Sequence, residues 1–300
     1  MALALHQEIE TFRAACQAVR ARGGRLGLVP TMGALHEGHL QLIDEAKRHS
    51  DEVAVTIFVN PTQFGPSEDL SRYPRQMEKD LRLCTARGAA LVLAPTVAEM
   101  YPPGEQTRVS VGKLAEPLCG RSRPGHFTGV ATVVTKLFAI AGPCVAVFGR
   151  KDYQQLKVIE CLVRDLCLPI RVVGHPIVRE ADGLALSSRN AYLSSEERKR
   201  ALGLARGLSF ANMAYQLAVE RNVAALKQHV ELSLAQEGAK IDYIEVVDAQ
   251  DLSEIPERIA EEQRAVLAVA AFIGATRLID NVELGIDPMP IDVSREVRGG

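Results

Sequence analysis

The chain has 300 residues, enough for one large domain or two smaller ones with a substantial core, and 35 Lys and Arg against 37 Asp and Glu leave a formal charge of -2. No block of like charge marks a nucleic-acid or membrane footprint, so the composition points to small-molecule partners. The six cysteines form no C-x-x-C pair and sit mostly in segments that read as helix or buried strand; they read as reduced core thiols of a cytoplasmic protein.

Met1 to Gln7 carries no Lys or Arg and meets Glu8 and Glu10 almost at once, unlike a secretory leader. An opening helix is expected over Gln7 to Arg22, closed by Gly23-Gly24. From Leu26 to Val173, short β-branched runs alternate with amphipathic stretches, the pattern of βαβ units around a parallel sheet. The expected strands are Leu26 to Val29, Val53 to Val59, Ala90 to Leu93, Val145 to Phe148 and Ile170 to Val173. Between them lie helices over Glu37 to His49, Pro74 to Arg87, Gly125 to Ala141 and Lys151 to Asp165. The apolar run Thr128 to Phe148 approaches the ~20 residues of a membrane span. Lys136 and the Gly142-Pro143 break make it a core helix followed by a strand.

After about Val178 the pattern changes. A long helix is expected over Ser194 to Leu217, its start marked by the capping-box spacing of Ser194 and Glu197, then a helix over Val223 to Gln236 and strands over Ile241 to Val247, Ala265 to Phe272 and Arg277 to Asp280. The fold class is therefore α/β: a Rossmann-like doubly wound parallel sheet over 1–177 and a smaller α+β domain over 178–300, expected to close over the site.

Polar motifs gather at strand ends. The first strand runs into Pro30-Thr31-Met32-Gly33-Ala34-Leu35-His36-Glu37-Gly38-His39, where a helix begins. His36 and His39 share a first helical turn, whose free N–H groups and dipole favour an anion; Gly38 lets a flat ring approach. H-x-x-H alone also fits a zinc site or two surface histidines, but no nearby Cys completes a zinc set. Two further strands end at Asn60-Pro61-Thr62-Gln63-Phe64-Gly65 and at Phe148-Gly149-Arg150-Lys151-Asp152-Tyr153-Gln154-Gln155. In an open parallel sheet such ends share one edge, above which ligands bind. Lys151 and Gln155, four apart, would lie on one helical face, a cation for phosphate beside an amide for substrate. Ser187, Ser188 and Arg189, within the segment Val178 to Asn190, could grip β and γ phosphates or simply form a capped surface loop.

H-x-G-H after a strand and turn resembles the signature of the nucleotidylyltransferase superfamily. Five segments together resemble the pantothenate synthetase family in order and spacing. They are P-T-M-G-A-L-H-E-G-H, F-V-N-P-T-Q-F-G, R-P-G-H-F-T-G-V, F-G-R-K-D-Y-Q-Q-L and R-E-A-D-G-L-A-L-S-S-R-N, which span Pro30 to Asn190. The resemblance implies an ATP-dependent ligase that joins pantoate to beta-alanine through a pantoyl-adenylate, releasing pyrophosphate and AMP. It implies that His36, His39 and Lys151 contact ATP phosphates together with Ser187, Ser188 and Arg189, that Gly149 and Asp152 hold the ribose, and that Val178 meets adenine through its backbone. Gln63 and Gln155 would bind pantoate beside the Met32 backbone, Asp80 would hold Mg²⁺, and the chain would form a homodimer, with no nucleic-acid or membrane partner. Arg123 and His126 receive no chemical step. Leu186 departs from the Met common before Ser-Ser-Arg, a swap of similar apolar volume. Two other readings share the histidine motif: a nucleotidylyltransferase that stops after transferring AMP, and a nucleotide-sensing protein without turnover.

Overall fold

The computed structural model describes residues 3–66, 68–217 and 219–293. The chain divides into two compact units, Met1–Arg150 with Gln154–Pro176, and Lys151–Tyr153 with Ile177–Gly300.

The first unit is built in chain order from β1 (Ala4–His6), α1 (Ile9–Ala21), β2 (Leu26–Thr31), α2 (Glu37–His49), β3 (Glu52–Ile57), α3 (Met77–Ala86), β4 (Leu91–Leu93), the short α4 (Val97–Met100) and α5 (Cys119–Ser122), then α6 (His126–Ala141), β5 (Cys144–Gly149), α7 (Tyr153–Asp165) and β6 (Ile170–His175). Its six strands are all parallel, in the order β1-β4-β3-β2-β5-β6. Valines and isoleucines on β2, β3 and β4 pack against α2 through Leu40, Ile43 and Ala46, the apolar face that a 3.6-residue period gives that helix. The chain steps one way from β2 to β3 and β4, then returns to the other side of β2 to lay down β5, so the strand order reverses between β2 and β5. β2 pairs with β3 along its whole length but with β5 only through Gly27 and Leu28. Pro30 has no N–H to offer a second neighbour, and pairing between the two strands stops short of their carboxyl ends, at the kind of reversal point where open parallel sheets bind ligands.

The second unit packs α9 (Leu202–Leu217) and α10 (Val223–Gln236), preceded by the short α8 (Ser195–Arg200), on an antiparallel sheet of β7 (Lys240–Asp248), β8 (Ala265–Ile273) and β9 (Thr276–Glu283) in the order β7-β8-β9. Leu204, Leu208, Leu226, Val230 and Leu234 form its core with Ile244, Leu267 and Val269.

Several expectations need correction. β1, a short strand beside β4, precedes the opening helix and was not legible as a strand. The helix expected over Ser194 to Leu217 is broken at Ala201 into α8 and α9; its Ser194 and Glu197 capping box is present. Lys151 lies in a 3₁₀ turn, Arg150–Asp152, ahead of α7, so the four-residue α spacing does not place it on a face with Gln155. The apolar run over Thr128 to Phe148 is α6, 16 residues long, followed by β5, and no helix of the described residues is long and apolar enough to cross a membrane.

Candidate active site

The turn leaving β2 carries the histidines. Gly33 and Ala34 are consecutively left-handed, at φ 82° and 51°, which reverses the chain so that buried Leu35 drops into the core and His36 becomes the N-cap of α2. The His36 N–H donates to Nδ1 of His39 at 3.4 Å, and the two rings lie 4.1 Å apart between centroids. Because Nδ1 of His39 accepts, its ring proton lies on Nε2. Both rings are half-buried at the start of a 13-residue helix whose free N–H groups favour an anion. Gly149 ends β5, the strand beside β2, and a Cβ added there would meet nothing within 4 Å.

The segment after β3 presents Gln63. Asn60, 1% exposed, accepts through Oδ1 from the Thr62 N–H at 3.4 Å, the Thr62 hydroxyl at 2.9 Å and the Tyr101 hydroxyl at 2.7 Å. Its Nδ2 must therefore be the donor, and it donates to Gln63 Oε1 at 3.0 Å and to the Gly129 carbonyl at 3.2 Å. Gln63 Nε2 then points to Met32 Sδ, 3.1 Å away, so the Gln63 amide is oriented before any ligand arrives. Burial raises the Tyr101 phenol above its usual range, keeping it a donor to Asn60.

Arg123 and His126 serve the same segment. An Arg123 Nη1–H donates to His126 Nε2 at 3.0 Å, so the imidazole proton sits on Nδ1 and is given to the Gln63 carbonyl at 2.9 Å. Arg123 is held by both Glu68 oxygens, at 2.7 and 2.6 Å. Burial works against the Glu68 charge, but the hydrogen bonds and charge of Arg123, with the Gly65 backbone, outweigh it and hold the carboxyl below the usual carboxylate range. The clamp fixes the backbone that carries Gln63.

Of the paired amides on α7, Gln154 is structural: buried, it accepts from the Cys119 N–H at 3.0 Å and donates to the Leu114 and Pro117 carbonyls. Gln155 is half-buried and makes no hydrogen bond among the described residues. Asp80 is 1% exposed, and both carboxylate oxygens accept from backbone: Oδ2 from Ala34 at 2.9 Å and Oδ1 from Leu35 at 2.8 Å.

In the second unit the segment 178–192 is a tied loop. Arg179 and Ala185 form an antiparallel bridge, and the Val178 carbonyl accepts from the Leu186 N–H at 3.0 Å. Arg179 forks onto Asp280, 3% exposed, at 2.7 and 2.9 Å, while Arg198 joins Glu180 and Asp182 at 2.7 and 2.9 Å. Asn190 donates to Glu180 and to the Ala185 carbonyl. Ser187 caps the following 3₁₀ turn by accepting from the Arg189 N–H, so the turn opens with Ser188 and Arg189. Lys151 and Asp152 belong to this unit: the Lys151 carbonyl accepts from Asn281 Nδ2 at 2.8 Å, and Lys151 Nζ lies 3.8 Å from a half-exposed Asp152 carboxylate.

His36, His39, Gly38, Met32, Gln63 and Gly149 thus belong to strand-end segments of the first unit, with Gln155 on α7; Lys151, Asp152, Val178, Ser187, Ser188 and Arg189 belong to the second. Asn60, Tyr101, Glu68 and Asp280 were not singled out from sequence, because a lone amide, phenol or carboxylate carries no spacing signal. Arg123 and His126 were legible as a motif but not by role.

A parallel sheet with a histidine-bearing helix start at its reversal point, beside a pre-oriented amide, defines an α/β enzyme acting on small polar ligands. The family profile described as "Pantoate-beta-alanine ligase" matches residues 4–283. The chain belongs to that family and is a carbon–nitrogen ligase of pantothenate biosynthesis. It is similar to the pantothenate synthetase of Myxococcus xanthus, 55% identical over 89% of this chain and 91% of that one, and to that of Geotalea daltonii, 51% identical over 94% and 99%. Among solved structures it is similar to pantothenate synthetase from Thermus thermophilus, with TM-score 0.86, 45% identity and coverage of 94% and 99%. It is also similar to the pantoate-beta-alanine ligase of Francisella tularensis complexed with beta-gamma ATP and beta-alanine, with TM-score 0.76, 33% identity and coverage of 96% and 100%.

Proposed function

We propose that this chain joins pantoate to beta-alanine in two steps through an enzyme-held pantoyl-adenylate. A carboxylate does not lose oxide to an amine, so it must first acquire a leaving group. The pantoate carboxylate oxygen bonds to the α-phosphorus of ATP while the bond to the β-phosphate breaks and pyrophosphate departs. The neutral amine of beta-alanine then attacks the acyl carbon, the acyl–oxygen bond breaks with its electron pair on AMP, and the amine proton passes to solvent.

The observation that carries this reading is the turn after β2, where His36 and His39 open α2 at the strand-order reversal and Gln63 is oriented beside Met32. Nε2–H of His39 and the helix N-terminus stabilise charge growing on phosphate oxygens, the kind of preorganised donor set that lowers such barriers most. Lys151, Ser187, Ser188 and Arg189 add cationic and hydroxyl contacts to the phosphates. Gly149 and Asp152 take the ribose, and the Val178 backbone takes adenine. Gln63 and Gln155 bind pantoate, and ATP is used as its magnesium complex. No protein nucleophile is needed, since alignment of two bound reactants is itself worth on the order of 7 to 11 kcal/mol. The ligands of the Francisella enzyme, a nucleotide and beta-alanine, support the same substrate set here. The reading includes a homodimer, checked by light scattering, in a reducing cytoplasm, which suits five buried free thiols.

The test is AMP release from purified protein with MgATP, pantoate and beta-alanine, each omitted in turn. AMP should appear only when all three are present, in step with pantothenate. Pyrophosphate without AMP in every mixture would instead indicate a nucleotidylyltransferase, and no turnover a sensing protein.

A further inference from the structure

We propose that Asp80 is a positioning residue that locks the histidine turn, and not a ligand for the magnesium ion of the substrate complex; the inference rests on the ligase reading above. The family resemblance assigns Asp80 to the metal, and the surroundings of its carboxylate do not fit that role. Both oxygens already accept from the consecutive N–H groups of Ala34 and Leu35, at 2.9 and 2.8 Å, and the residue is 1% exposed. The cavity of about 260 Å³ that borders it is lined mainly by apolar side chains such as Met32, Ile57 and Phe58, with the Arg75 cation and no second carboxylate. A hard dication seeks several oxygen ligands and would meet a guanidinium there instead.

Those same contacts suit a lock. Gly33 and Ala34 occupy the left-handed region, which an alanine seldom adopts, and the Asp80 oxygens are the acceptors that hold the Ala34 and Leu35 amides at this bend. Glycine is needed at 33 for a second reason: a Cβ there would stand 3.0 Å from Asp80 Oδ2 and 3.0 Å from Ile57 Cγ2. α3, which carries Asp80, is itself fastened along α2 at its far end, where Arg87 bridges Glu37 and Asp44 and its carbonyl accepts from Lys47. Leu35 is followed directly by His36, so the pinned amide sets the entry of α2 and with it the placement of both imidazoles.

Asp80→Asn tests this, because it keeps the shape but turns an amide N–H₂ against one of the two backbone donors. In the variant, the amides of Ala34 and Leu35 should exchange with solvent at least about ten-fold faster, read residue by residue by NMR. Turnover should fall about 10- to 100-fold with KM for ATP little changed, as expected when catalytic groups are misplaced by a fraction of an ångström. The magnesium concentration for half-maximal rate, and Mn²⁺·ATP binding followed by electron paramagnetic resonance, should stay within about two-fold of wild type. Gly33→Ala, which leaves the carboxylate in place and presses on it, should lower turnover in the same way, and it stands as the second variant if Asp80→Asn does not fold. A ten-fold rise in the magnesium requirement of Asp80→Asn, with turnover restored by excess metal and normal Gly33→Ala, would overturn the proposal; so would unchanged amide exchange. Absence of AMP release by wild-type protein would defeat the ligase reading instead, and the exchange measurement would still report on the lock.

Discussion

Gly129→Ala should separate stability from activity. Gly129 lies in the first turns of α6, and a Cβ built on it would stand 2.4 Å from the Thr62 carbonyl oxygen, 2.6 Å from its carbon and 2.7 Å from the Gln63 nitrogen. Real Cβ contacts essentially never fall below 3.0 Å and mostly stay beyond 3.4 Å, so the turn carrying Gln63 must move by about 0.6 to 1.0 Å, the partner being backbone that cannot rotate away. Alanine gains about 0.8 to 1 kcal/mol over glycine within a helix, whereas overpacking costs about 1 to 3 kcal/mol. The net loss of stability should therefore be only about 0 to 2 kcal/mol. Displacing a substrate-positioning group by about 1 Å can cost about 100-fold in rate. With MgATP saturating and pantoate varied, pyrophosphate release should show kcat/KM for pantoate lowered about 10- to 100-fold, with KM for ATP nearly unchanged. Thermal unfolding of the same sample reads the stability. A folded Gly129→Ala protein with kcat/KM for pantoate within about two-fold of wild type would refute the role given to the turn between Asn60 and Gln63.

His36→Ala should lose about 10² to 10³ in turnover with its circular dichroism unchanged, since one preorganised donor at developing charge is worth that much; near-normal turnover would refute the phosphate role. The thiols of Cys16, Cys84 and Cys144 are pushed up by burial from 9.0 to about 12. Their folded-state values lie above the unfolded ones, so their contribution to stability is complete below about pH 9 and is lost as pH rises toward about 12. The urea midpoint should fall between about pH 9 and 11, less steeply in Cys144→Ala than in wild type, and equal slopes would count against the buried-thiol account.

What the sequence determined by itself is what local chemistry writes at fixed spacing. The bounds of α2 and α10 follow from apolar period and capping residues, and both helices run over the residues their patterns mark. The glycine and histidines of the turn after β2, and the motif holding Arg123 and His126, were likewise visible, since each packs several chemically specific side chains into a short run. The short edge strand β1 was not legible, because three residues become a strand only when β4 offers its free edge. Tertiary structure alone decided that Asp80 meets the amides of Ala34 and Leu35 across 46 and 45 positions of chain, that His126 holds the Gln63 carbonyl across 63, and that Arg179 pairs with Asp280 across 101. No periodicity links residues so far apart. Their partners are set by which strand ends and helix starts the sheet order brings together, and a lone carboxylate reads the same in sequence whether it will face a metal ion or two backbone N–H groups.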